Sequence, residues 1–292
     1  MAPVTAARPE LHVAATRPDR GEDIEDVEID LLLEGVYRRY GYDFRQYARG
    51  SIRRRLMRRI EAEQLPTVSA LQERVLHDPS AMQRLLLDLS VNVTAMFRDP
   101  SFYLSFRTKV VPLLRTYPYI RIWNAGCSTG EETYSLAILL REEGLYDRTR
   151  LYATDMSESV LDIARTGVFS LRRMRDYTEN YIAAGGTRAF SEYYTSEGTV
   201  ARFDPDLARN VVFAQHNLVS DRSFNEFHVI FCRNVMIYFD RTLQDRVHQL
   251  AYDSLVHLGI LVLGQKESIR FTHNESRYAE LDADEKIYRK TR

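Results

Sequence analysis

The chain of 292 residues holds only two cysteines, Cys127 and Cys232. A disulfide framework is therefore excluded, and both thiols read as small packing residues. Apolar runs stay well short of the roughly 18 residues that a membrane helix needs. No secretory leader pattern opens the sequence, so the cytoplasm is the expected compartment and membrane insertion is not expected. Forty basic residues against 41 acidic ones leave a formal charge of −1. No global field steers a polyanion, and nucleic acid is not an expected partner. The seven histidines are scattered, and neither HExxH nor CxxC occurs, so no metal site is expected. GxGxxG and GK[ST] are missing as well, which weakens the dinucleotide and triphosphate readings.

What remains is an ordinary globular composition, 45% hydrophobic and 28% charged, in a chain long enough for two domains. Residues 1–21, rich in Ala, Pro and Arg without apolar periodicity, are expected to form a disordered tail. Residues 22–90 read as a helical N-terminal domain. Ile24, Val27, Leu31 and Val36 fall at roughly helical spacing behind an acidic start, and Met82, Leu85, Leu86 and Leu89 repeat the pattern. From 91 to 292, short β-rich runs alternate with amphipathic stretches, the pattern of an α/β sheet. Strands are expected at 119–123, 150–154, 210–215, 227–232 and 259–263, with a last one at 286–290 closing the sheet antiparallel. The polar segment 168–205 does not suit a single crossover helix. It reads as an inserted small β-subdomain whose core contains Tyr177, Tyr181, Tyr193 and Tyr194.

The segment Ile120–Glu143 runs from a strand through a turn with Gly126 and Gly130 into a helix. Asp155, ending the next strand, is placed to accept hydrogen bonds from a ribose. Glu131 and Glu132 sit where a phosphate would otherwise meet free N–H groups at the helix start, and carboxylates there repel pyrophosphate. S-adenosylmethionine, with a sulfonium, an ammonium and no phosphate, suits that charge.

Four blocks carry a family resemblance: NVTAMFRDP at 92–100, WNAGCSTGEETYSLAILL at 123–140, ATDMSESVLDIARTGVF at 153–169 and FHVIFCRNVMIYFD at 227–240. They resemble the CheR-like chemotaxis receptor methyltransferases from about residue 30 to the C-terminus. The resemblance implies a helical domain followed by a class I S-adenosylmethionine-dependent methyltransferase domain, Rossmann-like, with a small β insertion. It also implies O-methylation of glutamates on cytoplasmic receptor helices, with S-adenosylhomocysteine as product. Position by position, it implies that Asn92, Thr94 and Arg98 close over the cofactor. Gly126, Glu132 with Glu131 beside it, Asp155, Asn217, Leu218, Arg233 and Asn234 contact the cofactor, and Arg98 and Tyr238 are catalytic. Met96, Thr133 and Gln265-Lys266 depart from the family pattern. The last pair lies near the end of the fifth strand, where it bears on substrate choice.

Seven arginines crowd residues 45–59, and Ile52, Leu56 and Ile60 mark the buried stripe of that helix. Arg54, Arg55 and Arg58 are expected to project away from the stripe, as a solvated face or as a docking surface for an acidic receptor helix. His216 reads as structural. Two other functions stay open: methylation of another protein or of a small carboxylate, and a signalling scaffold that binds cofactor or its demethylated product without turnover.

Overall fold

The computed structural model describes residues 23–90 and 94–291. The expected tail and Asn92 lie outside the described residues. Four helices open the chain: α1 (Ile24–Tyr40), α2 (Arg49–Ala62), α3 (Val68–His77) and α4 (Pro79–Leu89). Thr67 caps α3 by accepting from the Ala70 N–H at 3.1 Å, and Asp78 caps α4 by accepting from Ser80 at 2.8 Å, with Pro79 in the first turn. Their shared core includes Leu32, Val36, Leu56, Leu71 and Leu85. Of the α1 residues used to infer periodicity, Ile24, Val27 and Leu31 are exposed and only Val36 is buried. The face turned inward is Ile29, Leu32, Leu33 and Val36.

After α5 (Pro100–Ser105), a π-helical turn leads into α6 (Val111–Leu114). The main sheet then begins with β1 (Ile120–Ala125), α7 (Glu131–Glu142), β2 (Thr149–Asp155) and α8 (Glu158–Thr166). The insertion follows, comprising β3 (Val168–Ser170), α9 (Met174–Ala183), β4 (Tyr194–Glu197) and β5 (Val200–Phe203). The chain returns through β6 (Val211–Gln215), β7 (Phe227–Cys232), α10 (Arg241–Ser254), β8 (Leu255–Leu263), β9 (Tyr278–Asp282) and β10 (Ile287–Lys290). The seven-stranded sheet has the order β6-β2-β1-β7-β8-β10-β9, and β3-β5-β4 form a separate antiparallel sheet. Five strands run parallel, while β10 pairs antiparallel with both β8 and β9. Among the described residues no helix is long and apolar enough to cross a membrane.

β1 pairs with β2 on one side and β7 on the other. This is the point where the strand order reverses, and such a crevice at the carboxyl ends of strands is where open α/β sheets take ligands. Two differences from the sequence reading stand out. β8 starts at Leu255, ahead of the expected 259, with its pairing to β7 shifted between Phe227 and Val229. The half-polar edge strand β9, supported by β10 alone, has no apolar pattern to reveal it.

Glu142, at the end of α7, ties this helix to the insertion. Its side chain is 1% exposed. It accepts from the Thr187 N–H and hydroxyl and from the Tyr193 hydroxyl, each at 3.0 Å, and bonds Tyr181 and Arg107. Burial alone would raise its pKa; these partners hold it below the ordinary 4.5. A depressed carboxylate contributes stability above its unfolded pKa and loses it as pH falls through the folded value. Glu142→Gln is expected to lower stability by about 3 kcal/mol at pH 7 in denaturant unfolding. The gap to wild type should shrink on acidification below about pH 4.5, and a gap unchanged at pH 3 would contradict this assignment.

Candidate functional site

The turn after β1 is held by paired backbone bonds: the Gly126 and Cys127 N–H groups both donate to the Thr154 carbonyl, at 2.8 and 2.9 Å. Gly126 has φ +77°, and a Cβ there would lie 2.6 Å from a Val235 methyl. Only glycine fits both the conformation and the space. Above this turn is a cleft with two lobes that share Gly126, Ser128 and Asn234.

The larger lobe encloses about 650 Å³ open to solvent. Its walls include Asp155, Asn217, Leu218, Val219, Tyr238 and Phe239 from the α/β unit, with Tyr47, Leu89 and Ser90 from the helical unit. Asp155 accepts from the Ser128 N–H at 3.0 Å and the Ser157 N–H at 3.1 Å. Burial raises its pKa, and these N–H groups oppose the rise. Asn217 accepts from the Val219 N–H at 3.0 Å, which shapes the wall carrying Leu218. The helical unit is joined to this wall by a bridge between Tyr47 and Phe239, by Ala48 N–H to the Tyr238 carbonyl (2.9 Å), and by Asp240 N–H to the Gln46 carbonyl (2.8 Å).

The smaller lobe, about 440 Å³, is lined by Thr94, Ala95, Arg98, Glu132 and Arg233 besides the shared residues. Arg233 is buried, donates to Glu132 at 2.7 Å and Asp99 at 2.9 Å, and lies 4.1 Å over the Phe102 ring. Burial would lower its pKa, and the facing carboxylates raise it instead. The Asn124 amide donates to the second Glu132 oxygen at 3.1 Å while its own oxygen accepts from Thr133. Thr133, one of the departures from the family pattern, thus helps to aim Glu132.

The two glutamates part company at the helix start. Glu132 lines the cleft, whereas Glu131 is not part of the lining. It is buried against the insertion and accepts from Thr129 at 2.6 Å and Tyr177 at 3.3 Å, with Arg173 at 3.5 Å. Successive helix positions point about 100° apart, so only one of the pair can face a ligand. Arg98 and Tyr238 open onto different lobes, separated by the shared Gly126–Asn234 neck.

One expectation needs correction. Arg54 and Arg58 are exposed, but Arg55 is 5% exposed and does not project away from the α2 stripe. It packs beside Ile52 and Leu56, bonds the Leu89 carbonyl, and sets its guanidinium 4.8 Å from the Tyr238 ring. One hundred degrees from Leu56 is close enough to the stripe to bury a long side chain.

Sequence reasoning missed Tyr47, which carries no motif, and Glu267. The buried Glu267 carboxylate accepts from the N–H groups of Gly264, Asn234, Val235 and Met236 at 2.7 to 2.9 Å. It thereby fixes Asn234 in its left-handed conformation, φ +60°. His216 bonds the Arg222 carbonyl at 3.1 Å, packs edge-on to Trp123 and lines the larger lobe. Both cysteines are buried, and burial pushes both thiols well above their ordinary range.

The site residues fit S-adenosylmethionine. An apolar lobe takes a flat base, the Asp155 carboxylate in its wall serves hydroxyls, and the second lobe carries the Glu132 carboxylate with Arg233 beneath it. The glycine turn leaves the backbone open to close approach, and acidic residues occupy the α7 start where phosphate would bind.

Comparison with known proteins agrees. The CheR methyltransferase SAM-binding domain matches residues 92–287, and the CheR methyltransferase all-alpha domain matches residues 27–90. A Pseudomonas putida protein named as methyltransferase Cher3 is 52% identical, over 91% of this chain and 97% of its own length. Chemotaxis protein methyltransferase 2 of Pseudomonas aeruginosa is 32% identical over 84% of this chain and 87% of its own. The chemotaxis protein methyltransferase of Escherichia coli is 30% identical over 87% and 88%. The two-lobed cleft, its helical cover and these matches together make the chain a member of the CheR family of S-adenosylmethionine-dependent methyltransferases.

Proposed function

We propose that this chain methylates glutamate side chains on cytoplasmic helices of chemoreceptors. The observation that carries the reading is a cleft whose Glu132 and Asp155 suit a phosphate-free cation, with Arg98 on one lobe and Tyr238 on the other. When bound, S-adenosylmethionine supplies a methyl group on a sulfonium, which a carboxylate oxygen takes directly, leaving S-adenosylhomocysteine. A glutamate with an ordinary pKa of about 4.3 is already ionised at neutral pH, so no residue needs to remove a proton.

The protein's share is therefore alignment and exclusion of water. Arg98 orients the incoming carboxylate, and Tyr238, stacked beneath the Arg55 guanidinium, closes the opposite side. Thr94 lines the smaller lobe together with Arg98. Arg54 and Arg58, exposed on α2, give an acidic receptor helix a cationic face to lie on, and the ester product neutralises one charge there. Relatives named chemotaxis protein methyltransferases support the receptor assignment.

Mass spectrometry of receptor cytoplasmic fragments after incubation with labelled cofactor is expected to place the label on glutamate. Cofactor binding without transfer to any receptor would favour the scaffold instead. Arg98→Lys keeps the charge but loses the planar fork, and turnover should fall by about 100-fold. Neutralising Arg54 and Arg58 together should raise the receptor KM by about tenfold, less so at high salt. An unchanged KM would remove α2 from the docking surface.

A further inference from the structure

A second concavity, about 670 Å³ open to solvent, lies on the other side of the Asn234–Phe239 loop from the cofactor cleft. Met236 and Ile237 form one wall, α10 gives Arg241, Gln244 and His248, and the segment after β8 gives Lys266, Arg270 and Phe271. Arg241, Lys266 and Arg270 are all exposed. Among the described residues none of the three forms an ion pair, unlike Arg49, Arg53 and Arg59 of α2.

Several nearby acids hold backbone N–H groups rather than these cations. Glu267 spends its carboxylate on four backbone N–H groups, Asp240 accepts from the Leu243 N–H at 2.8 Å, and Glu275 accepts from the Phe271 N–H at 2.7 Å. Three cations that form no ion pair therefore rim the hollow, whose wall also holds the Glu267 carboxylate. In its wall His248 is 3% exposed and its buried Nδ1 has no hydrogen-bond partner.

Phe271 is the other anomaly. It is 79% exposed, and its φ of +64° is a conformation that bulky residues rarely hold. Arg241 secures it by donating to its carbonyl at 3.2 Å, with the guanidinium 5.7 Å from the ring. Neither core packing nor backbone preference accounts for an aromatic ring held out in solvent beside three unpaired cations. An apolar anchor within a cationic rim suits an acidic, partly apolar polypeptide.

We propose that the hollow bounded by Arg241, Lys266, Arg270 and Phe271 is a second docking surface for the substrate protein, receiving an acidic segment that flanks the methylated glutamate. It rests on the reading above that a protein helix is the acceptor. The bridge from Tyr47 to Phe239 brings the start of α2 to the same loop, and α10 begins two residues after Phe239, so the two cationic surfaces flank one active-site loop. A substrate helix spanning both is gripped on either side of its reactive residue.

The test uses the full chain and a fluorescent, glutamate-rich helical peptide, read by anisotropy, alongside turnover on receptor fragments. Lys266→Gln/Arg270→Gln is expected to weaken peptide binding by about tenfold and to raise the receptor KM by a similar factor. The dissociation constant for S-adenosylmethionine should stay within about twofold, since neither residue lines its cleft. Phe271→Asn, which suits a positive φ, should raise the melting temperature while weakening the peptide. Equal peptide binding by wild type and the double variant, or none by wild type, overturns the proposal. So does competition by inorganic pyrophosphate alone, which would mark a small-anion site. Failure of glutamate labelling would instead strike the proposed function, because peptide binding is read without turnover.

Discussion

The buried Arg233 guanidinium is the interaction on which the rest depends. It stands at the carboxyl end of β7, donates to Glu132 on α7 and to Asp99 before α5, and lies against Phe102. An isolated buried cation is costly, and one carboxylate removed would leave it uncompensated. The pairing therefore locks together three segments that are far apart in sequence: the linker motif, the glycine turn's helix, and the β7 end. It also sets the electrical character of the lobe above it. One carboxylate, aimed by Asn124 and Thr133, faces the ligand with its countercharge below. The Glu132 carboxylate there is a partner for an ammonium or sulfonium.

The apolar lobe depends on a different constraint. It is not a pocket of the α/β unit alone, because Tyr47, Leu89 and Ser90 complete it. The helical unit is tied down by the Tyr47–Phe239 bridge and by Arg55 reaching across to Tyr238. The cofactor cleft and the helical unit are thus joined through one loop, residues 234–239, in which the Asn234, Val235 and Met236 N–H groups all donate to the Glu267 carboxylate.

The parallel sheet was legible because β-branched and apolar runs alternate with amphipathic stretches, and the glycine turn was legible because it is local. Asp155 followed from its place at the end of the second strand. Other features depend on tertiary packing. Which face of α1 turns inward was decided by α3, leaving Ile24, Val27 and Leu31 outside despite their spacing. Arg55 shows the same limit: a charged residue one step from an apolar stripe becomes buried once a carbonyl and an aromatic ring wait for it. Glu131 and Glu132 are chemically alike, and only the insertion's Tyr177 and Arg173 separate their roles. Tyr47 belongs to the site through chain crossing alone, which no local pattern records.

The cleft is built for a phosphate-free adenosyl cation. Calorimetric titration of the full chain with S-adenosylmethionine, S-adenosylhomocysteine, ATP and NAD reads this selectivity. Saturable one-to-one binding of the first two at micromolar concentrations, with neither phosphate compound competing at millimolar concentration, is the predicted result. Displacement of S-adenosylhomocysteine by ATP or NAD, or no binding of the sulfonium compound at all, would contradict the account.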